Sequence, residues 1–154
     1  IRSCLVGSEM CIRDSNMLNK NKTIQRVFYM LEKSSLKLTN QRKQLVNLIY
    51  AEGHCHFTAE DIYKKAKKNK IKISLATVYN NLNSFKNFGM LNVVKASSDK
   101  IYFDTNLDNH HHFYCENTGK LLDINTDHVI IQKLPKSPKG YNIKNVSVII
   151  NLEK

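Results

Sequence analysis

The chain has 154 residues and a formal net charge of +11, carried unevenly: residues 1–92 hold 16 Lys/Arg against 6 Asp/Glu, residues 93–154 hold 8 against 7. That length fits one medium domain or two small ones, and 42% apolar residues with five glycines and two prolines exclude a disordered chain. Apolar runs fall far short of the ~20 residues of a membrane helix, so no membrane contact is expected. The basic first half points to a partner bearing phosphates, and the alternative is a solvated lysine-rich surface.

Residues 1–15, IRSCLVGSEMCIRDS, contain no lysine, whereas the rest of the chain has twenty. They read as a non-native or disordered leader, with Met17 as the start. They are no signal peptide, because Glu9, Arg13 and Asp14 interrupt any apolar core. Outside this stretch only Cys55 and Cys115 remain, too far apart for a disulfide framework or a CxxC pair. A reduced, cytoplasmic protein follows.

Ile24, Val27, Phe28 and Leu31 have helical spacing within 22–34. Thr39 caps a second helix with Val46, Leu48, Ile49 and Tyr50 on its apolar side, ended by Gly53. Thr58 caps a third, which has acids in its first turn and a lysine cluster at its end. Ser74 caps a fourth, SLATVYNNLNSFKNFG, which Gly89 ends. There Leu75, Val78, Leu82 and Phe85 form an apolar stripe, while Ser74, Thr77, Asn81 and Ser84 form a short-chain, uncharged polar one. Such groups suit close approach to base edges in a major groove. Leu91–Lys95 and Ile101–Asp104 read as strands joined by a Ser97-Ser98-Asp99 turn.

Three helices and a basic hairpin are the parts of a winged helix-turn-helix. The fold class expected is α+β: a winged-helix DNA-binding domain at 16–104, then a small α/β dimerisation and ligand-sensing domain at 105–154. Arg42, Lys64, Lys65, Lys95 and Lys100 are candidates for phosphates. Ser74, Thr77, Asn80, Asn81 and Ser84 are candidates for the groove. Tyr79 suits base or sugar contact, or partial burial. The second half offers strands at His112–Cys115, Lys120–Ile124 and Tyr141–Leu152, with Gly119 at a hairpin turn. The long last strand suits pairing in a two-fold dimer on double-stranded DNA.

His110 and His112 would share one face of a strand and could chelate one ion, with Asp104 and Asp123 on flanking segments. Nitrogen and oxygen donors suit Zn(II), Fe(II) or Mn(II). His56 joins only if the two domains fold toward each other. No nucleophile–base pair or phosphate loop stands out, so an enzyme is not expected.

HCHFTAEDIYKKA, ISLATVYNNLNSF and YFDTNLDNHHHF together resemble the ferric uptake regulator superfamily, over about residues 36–152. FDTNLDNHHHF, KLPKSPKGYNI and VSVIINL look most like its iron response regulator branch. The resemblance implies a homodimeric transcriptional repressor that responds to iron or haem and binds a palindromic operator. It implies a regulatory metal site at His56, Asp104, His110, His112 and Asp123. It makes His110, His111 and His112 candidate haem contacts. The family's four-cysteine zinc site is not implied here, since Thr118 stands where the partner of Cys115 would be. A peroxide sensor of the same family, with Asp in place of Glu at the iron site, is the second reading. A metal- or haem-binding protein that does not act on DNA is the third.

Overall fold

The computed structural model describes residues 8–97 and 99–153, with side chains from Asn21 onward. The chain divides into two compact units that part between Leu107 and Asp108. Residues 8–15 of the expected leader are helical, and residues 1–7 lie outside the described residues.

The first unit holds α1 (Ser8–Lys33), α2 (Asn40–Tyr50), α3 (Ala59–Lys68) and α4 (Leu75–Asn87), with strands β1 (His56–Phe57), β2 (Asn92–Val94) and β3 (Tyr102–Asp104). All three sequence-assigned caps are present. The side chains of Thr39, Thr58 and Ser74 accept from the backbone N–H of Arg42, Asp61 and Thr77. At Thr58 the bond is reciprocal, because Asp61 returns a carboxylate to the cap's N–H, which satisfies two otherwise orphaned donors. Gly89 (φ 70) ends α4, with the Met90 N–H donating to Phe85 O at 2.8 Å. The end of α3 makes the same turn without a glycine: Lys70 has φ 56, and Ile71 N donates to Ala66 O at 2.9 Å.

The helices enclose one core. Val27 and Leu31 of α1, Leu45, Val46 and Ile49 of α2, Ile62 of α3 and Val78, Leu82 and Phe85 of α4 are all buried. Tyr50 is buried among them, and its hydroxyl donates to Met90 O. Burial pushes that phenol well above its ordinary range.

The two strands expected at 91–104 form, as the antiparallel pair β2–β3 with Val94 opposite Tyr102. Ser98, in the connecting turn, lies outside the described residues. A third strand is added that sequence periodicity had no means to register, since β1 is two residues long. It pairs antiparallel with β3, placing His56 opposite Asp104. Thr105 locks this pairing: its hydroxyl oxygen accepts from Cys55 N at 2.8 Å and its own N–H donates to Cys55 O.

The second unit is a three-stranded sheet of order β5-β4-β6, from β4 (His111–Cys115), β5 (Lys120–Ile124) and β6 (Ile149–Leu152). β4 and β5 form the expected hairpin, with Gly119 (φ 65) in its turn. The last strand is shorter than the sequence suggested. Of residues 141–152 only Ile149–Leu152 are strand, parallel to β4. A strand needs a partner for its backbone groups, and β4 supplies five residues, while Lys144 and Asn145 are poor strand formers. No helix of the described residues is long and apolar enough to cross a membrane.

Candidate metal centre and nucleic-acid interface

Each unit carries its own group of potential metal ligands. In the first, the β1–β3 register brings His56 Nε2 to 3.6 Å from Asp104 Oδ2. Asp104 is fully buried, and its other oxygen accepts from Asn106 N at 2.8 Å, which fixes the carboxylate. In the second, cross-strand pairing sets His112 opposite Asp123. His110, two residues earlier, shares that face because side chains alternate along a strand. His110 Nε2 and His112 Nε2 lie 3.6 and 4.0 Å from Asp123 Oδ1, and the two imidazoles meet edge to face at 4.5 Å.

These separations exceed a hydrogen bond. Two donors bound to one ion at ~2.0–2.2 Å stand about 3–3.5 Å apart, so each group needs to close only slightly to chelate a cation. His110 Nδ1 is 2.7 Å from Asp108 O. With its proton on that nitrogen, His110 turns an unprotonated Nε2 toward Asp123, the arrangement a metal-binding imidazole requires. Two imidazoles and a carboxylate suit Fe(II), Mn(II) or Zn(II). His111 belongs to neither group. It points to the other face of β4, where its Nδ1 accepts from Val148 N at 3.3 Å. Three consecutive histidines on an alternating strand therefore do not share one face: His110 and His112 lie together and His111 apart.

Burial sets Asn81 apart from the rest of the polar stripe of α4. At 100° per residue, Asn81 lies only about 80° from the mean direction of Leu75, Val78, Leu82 and Phe85. It is buried, at 7% exposure. Its amide donates to Thr77 O at 2.7 Å, and its carbonyl accepts from Arg42 Nε at 3.0 Å. Ser74 and Thr77 spend their hydroxyls on the helix cap, and Ser84 donates to Asn80 O. Four of the five residues assigned to the groove thus also make hydrogen bonds within the helix. The face opposite the core is Ala76, Asn80, Asn83 and Asn87, all exposed. Of these, only Asn80 had been singled out. The signal for the others was the direction opposite the apolar stripe of Leu75, Val78, Leu82 and Phe85.

Tyr79 is half-buried beside that face and donates its hydroxyl to Glu60 Oε1 of α3 at 2.6 Å. This bond holds the Glu60 carboxyl below its usual range and raises the Tyr79 phenol. Arg42 is half-buried, with Nε on Asn81 and Nη1 donating to Lys37 O, so it clamps α2 to α4 and retains only its remaining N–H groups for a phosphate. Lys65 is drawn to Glu52, with N···O 3.0 Å. Lys64, Lys95 and Lys100 are exposed.

Three comparisons bear on this arrangement. The sequence profile described as "Ferric uptake regulator family" matches residues 33–152. Curated relatives include the peroxide-responsive repressor PerR of Staphylococcus epidermidis, 36% identical over 93 residues, and PerR of Staphylococcus aureus, 34% identical over 93 residues. Each alignment covers 60% of this chain, and the chain spans about three-fifths the length of these relatives, 61% and 62%. Among solved structures, the ferric uptake regulator of Pseudomonas aeruginosa with manganese superposes with a TM-score of 0.62 at 25% identity. It covers 80% of this chain and 94% of its own. That of Vibrio cholerae superposes at 0.63 with 22% identity, covering 80% and 96%, and supports the α+β fold alone.

Proposed function

Since the chain belongs to the ferric uptake regulator family, whose members are DNA-binding transcription regulators rather than enzymes, we propose that it is a metal-responsive repressor acting as a homodimer on a palindromic duplex in the cytoplasm. The observation that carries this reading is the convergence of His110, His112 and Asp123 on one face of a β-hairpin. We take His56 and Asp104 as the remaining ligands of the same ion. Its binding would then tie the reading unit to the sensing unit and set the spacing of two copies of α4. In this reading the first unit is a winged helix-turn-helix: α4 enters the major groove by its Ala76–Asn80–Asn83–Asn87 face, while Lys64, Lys95 and Lys100 meet phosphates. When bound, the ion supplies charge neutralisation and a fixed coordination geometry. The chain's part is to hold two imidazole nitrogens and a carboxylate in reach and to orient His110 through Asp108 O.

Two stimuli compete. Sequence motifs favour iron or haem. The PerR relatives are named as peroxide-responsive repressors, which supports a peroxide response at least as well. Haem is the weaker iron signal, given that His111 faces away from its neighbours.

The test is calorimetric titration of Mn(II) and Zn(II) into the protein and into His56→Ala and His112→Ala, beside duplex retention with each metal. A shared site is expected to lose affinity in both variants. Titration of His56→Ala indistinguishable from the unsubstituted chain refutes it. Duplex release by peroxide from the Fe(II)-loaded but not the Mn(II)-loaded protein selects the peroxide reading. Equal retention decides for iron.

A further inference from the structure

Glu60 lies in the half of the chain that carries most of its positive charge. It is exposed, sits in the first turn of α3, and places its carboxylate beside α4, a helix with no acidic residue of its own. An anion there works against attraction to DNA unless it does something else. What it does is accept the Tyr79 hydroxyl at 2.6 Å, a charge-assisted bond across two helices. Tyr79 precedes Asn80, the first amide of α4's exposed face, and a half-buried phenol with two free torsions would otherwise sample several rotamers over that face.

We propose that Glu60 is a positioning residue for sequence recognition: it holds the Tyr79 ring in one orientation at the edge of the Asn80–Asn83–Asn87 face, at the cost of some non-specific affinity. This rests on α4 being the element that reads DNA. A fixed ring narrows which base step fits beside Asn80, while the negative charge lowers attraction to every sequence alike. Glu60 would thus raise the ratio of specific to non-specific binding through the ring alone, its charge lowering both affinities by the same factor.

The test begins with duplexes selected by the full-length protein from a randomised pool, with and without Mn(II). Affinity for the selected duplex is then compared with that for a scrambled one. Glu60→Ala is expected to reduce this ratio about tenfold, the scale of losing one base discrimination. Affinity for the scrambled duplex should stay level or rise, and the fold should be intact by circular dichroism. Tyr79→Phe should reduce the ratio equally, and the double variant no further, because both remove one hydrogen bond. Glu60→Gln, whose amide oxygen still accepts from the hydroxyl, should restore the preference. A ratio within twofold of the unsubstituted protein in Glu60→Ala, additive losses in the double variant, or a glutamine variant as poor as alanine each overturn the proposal while leaving DNA reading by α4 intact. If the unsubstituted protein enriches no sequence in either condition, both readings fall.

Discussion

Asn81 separates a helix-holding role from a base-reading one. Replacing it by alanine removes the bond from Arg42 Nε at 3.0 Å and the bond to Thr77 O at 2.7 Å. The first has a charged donor, of the class that contributes ~1.5–3 kcal/mol, and the second a neutral one, ~0.5–1.5 kcal/mol. Arg42 is only half-buried, so water partly replaces its lost partner and the lower end applies. Alanine returns about 0.5 kcal/mol through its higher helix propensity. The net loss is about 2 kcal/mol. For a unit of about this size, each kcal/mol shifts Tm by ~4–8 °C, so Tm should fall by roughly 8–16 °C. Asn80→Ala, on the exposed face, should leave Tm level or slightly raised. Thermal unfolding followed by circular dichroism reads both, and duplex competition reads sequence preference. If Asn81→Ala unfolds within about 2 °C of the unsubstituted protein yet loses its preference, the assignment of the two faces of α4 is wrong.

Other outcomes follow from features at single residues. Lys70 holds φ 56 at the end of α3, where glycine carries no Cβ penalty. Lys70→Gly should stabilise the unit by ~0.5–1 kcal/mol, seen as a Tm rise of about 3–6 °C, and an unchanged or lower Tm refutes strain there. Burial raises the Cys55 thiol pKa despite the opposing pull of Thr105 and Lys65. Alkylation by iodoacetamide at pH 8 should therefore be slower at Cys55 in the folded protein than in urea, and equal rates would contradict the burial. The Glu60–Tyr79 bond has a defined pH window. Glu60 is depressed, so its contribution is present above its unfolded pKa and is lost as pH falls through the folded value. Tyr79 is raised, so its share is present below pH ~10 and is lost as pH rises through its folded value. Any stability difference between the unsubstituted chain and Tyr79→Phe should hold near neutrality and shrink toward both extremes; a difference that does not change with pH argues against this bond.

The helices of the first unit were legible because their signals are local. Thr39, Thr58 and Ser74 stand at the cap positions, and Gly89 ends α4 as expected. The β4–β5 hairpin was legible for the same reason, in its alternation and its Gly119 turn. What escaped depends on partners distant in sequence. The pairing of His56 with Asp104 comes from a two-residue strand, too short to carry a period. The end of the chain was read as a long strand from its valines, but a strand runs only as far as its neighbour allows. On α4 the error was one of angle: a polar residue next to an apolar stripe is pulled inward when a half-buried arginine can bond to it, as Arg42 does to Asn81. The ligand residues were picked by type, and the register of β4 and β5 then assembled three of them, His110, His112 and Asp123, within one unit.

The Ala76–Asn80–Asn83–Asn87 face of α4 carries amides and a methyl group but no charge, while Lys64, Lys95 and Lys100 lie on other elements. In kinetic terms this divides search from arrest. In the proposed reading, lysine–phosphate contacts are indifferent to sequence and permit sliding, so they would set how quickly the protein scans a duplex and how strongly salt slows its arrival. The amides add nothing until a matching base step lies beneath them, and then act on departure alone. A protein so arranged should tune its residence time on a target through three asparagines, with its rate of encounter left almost untouched.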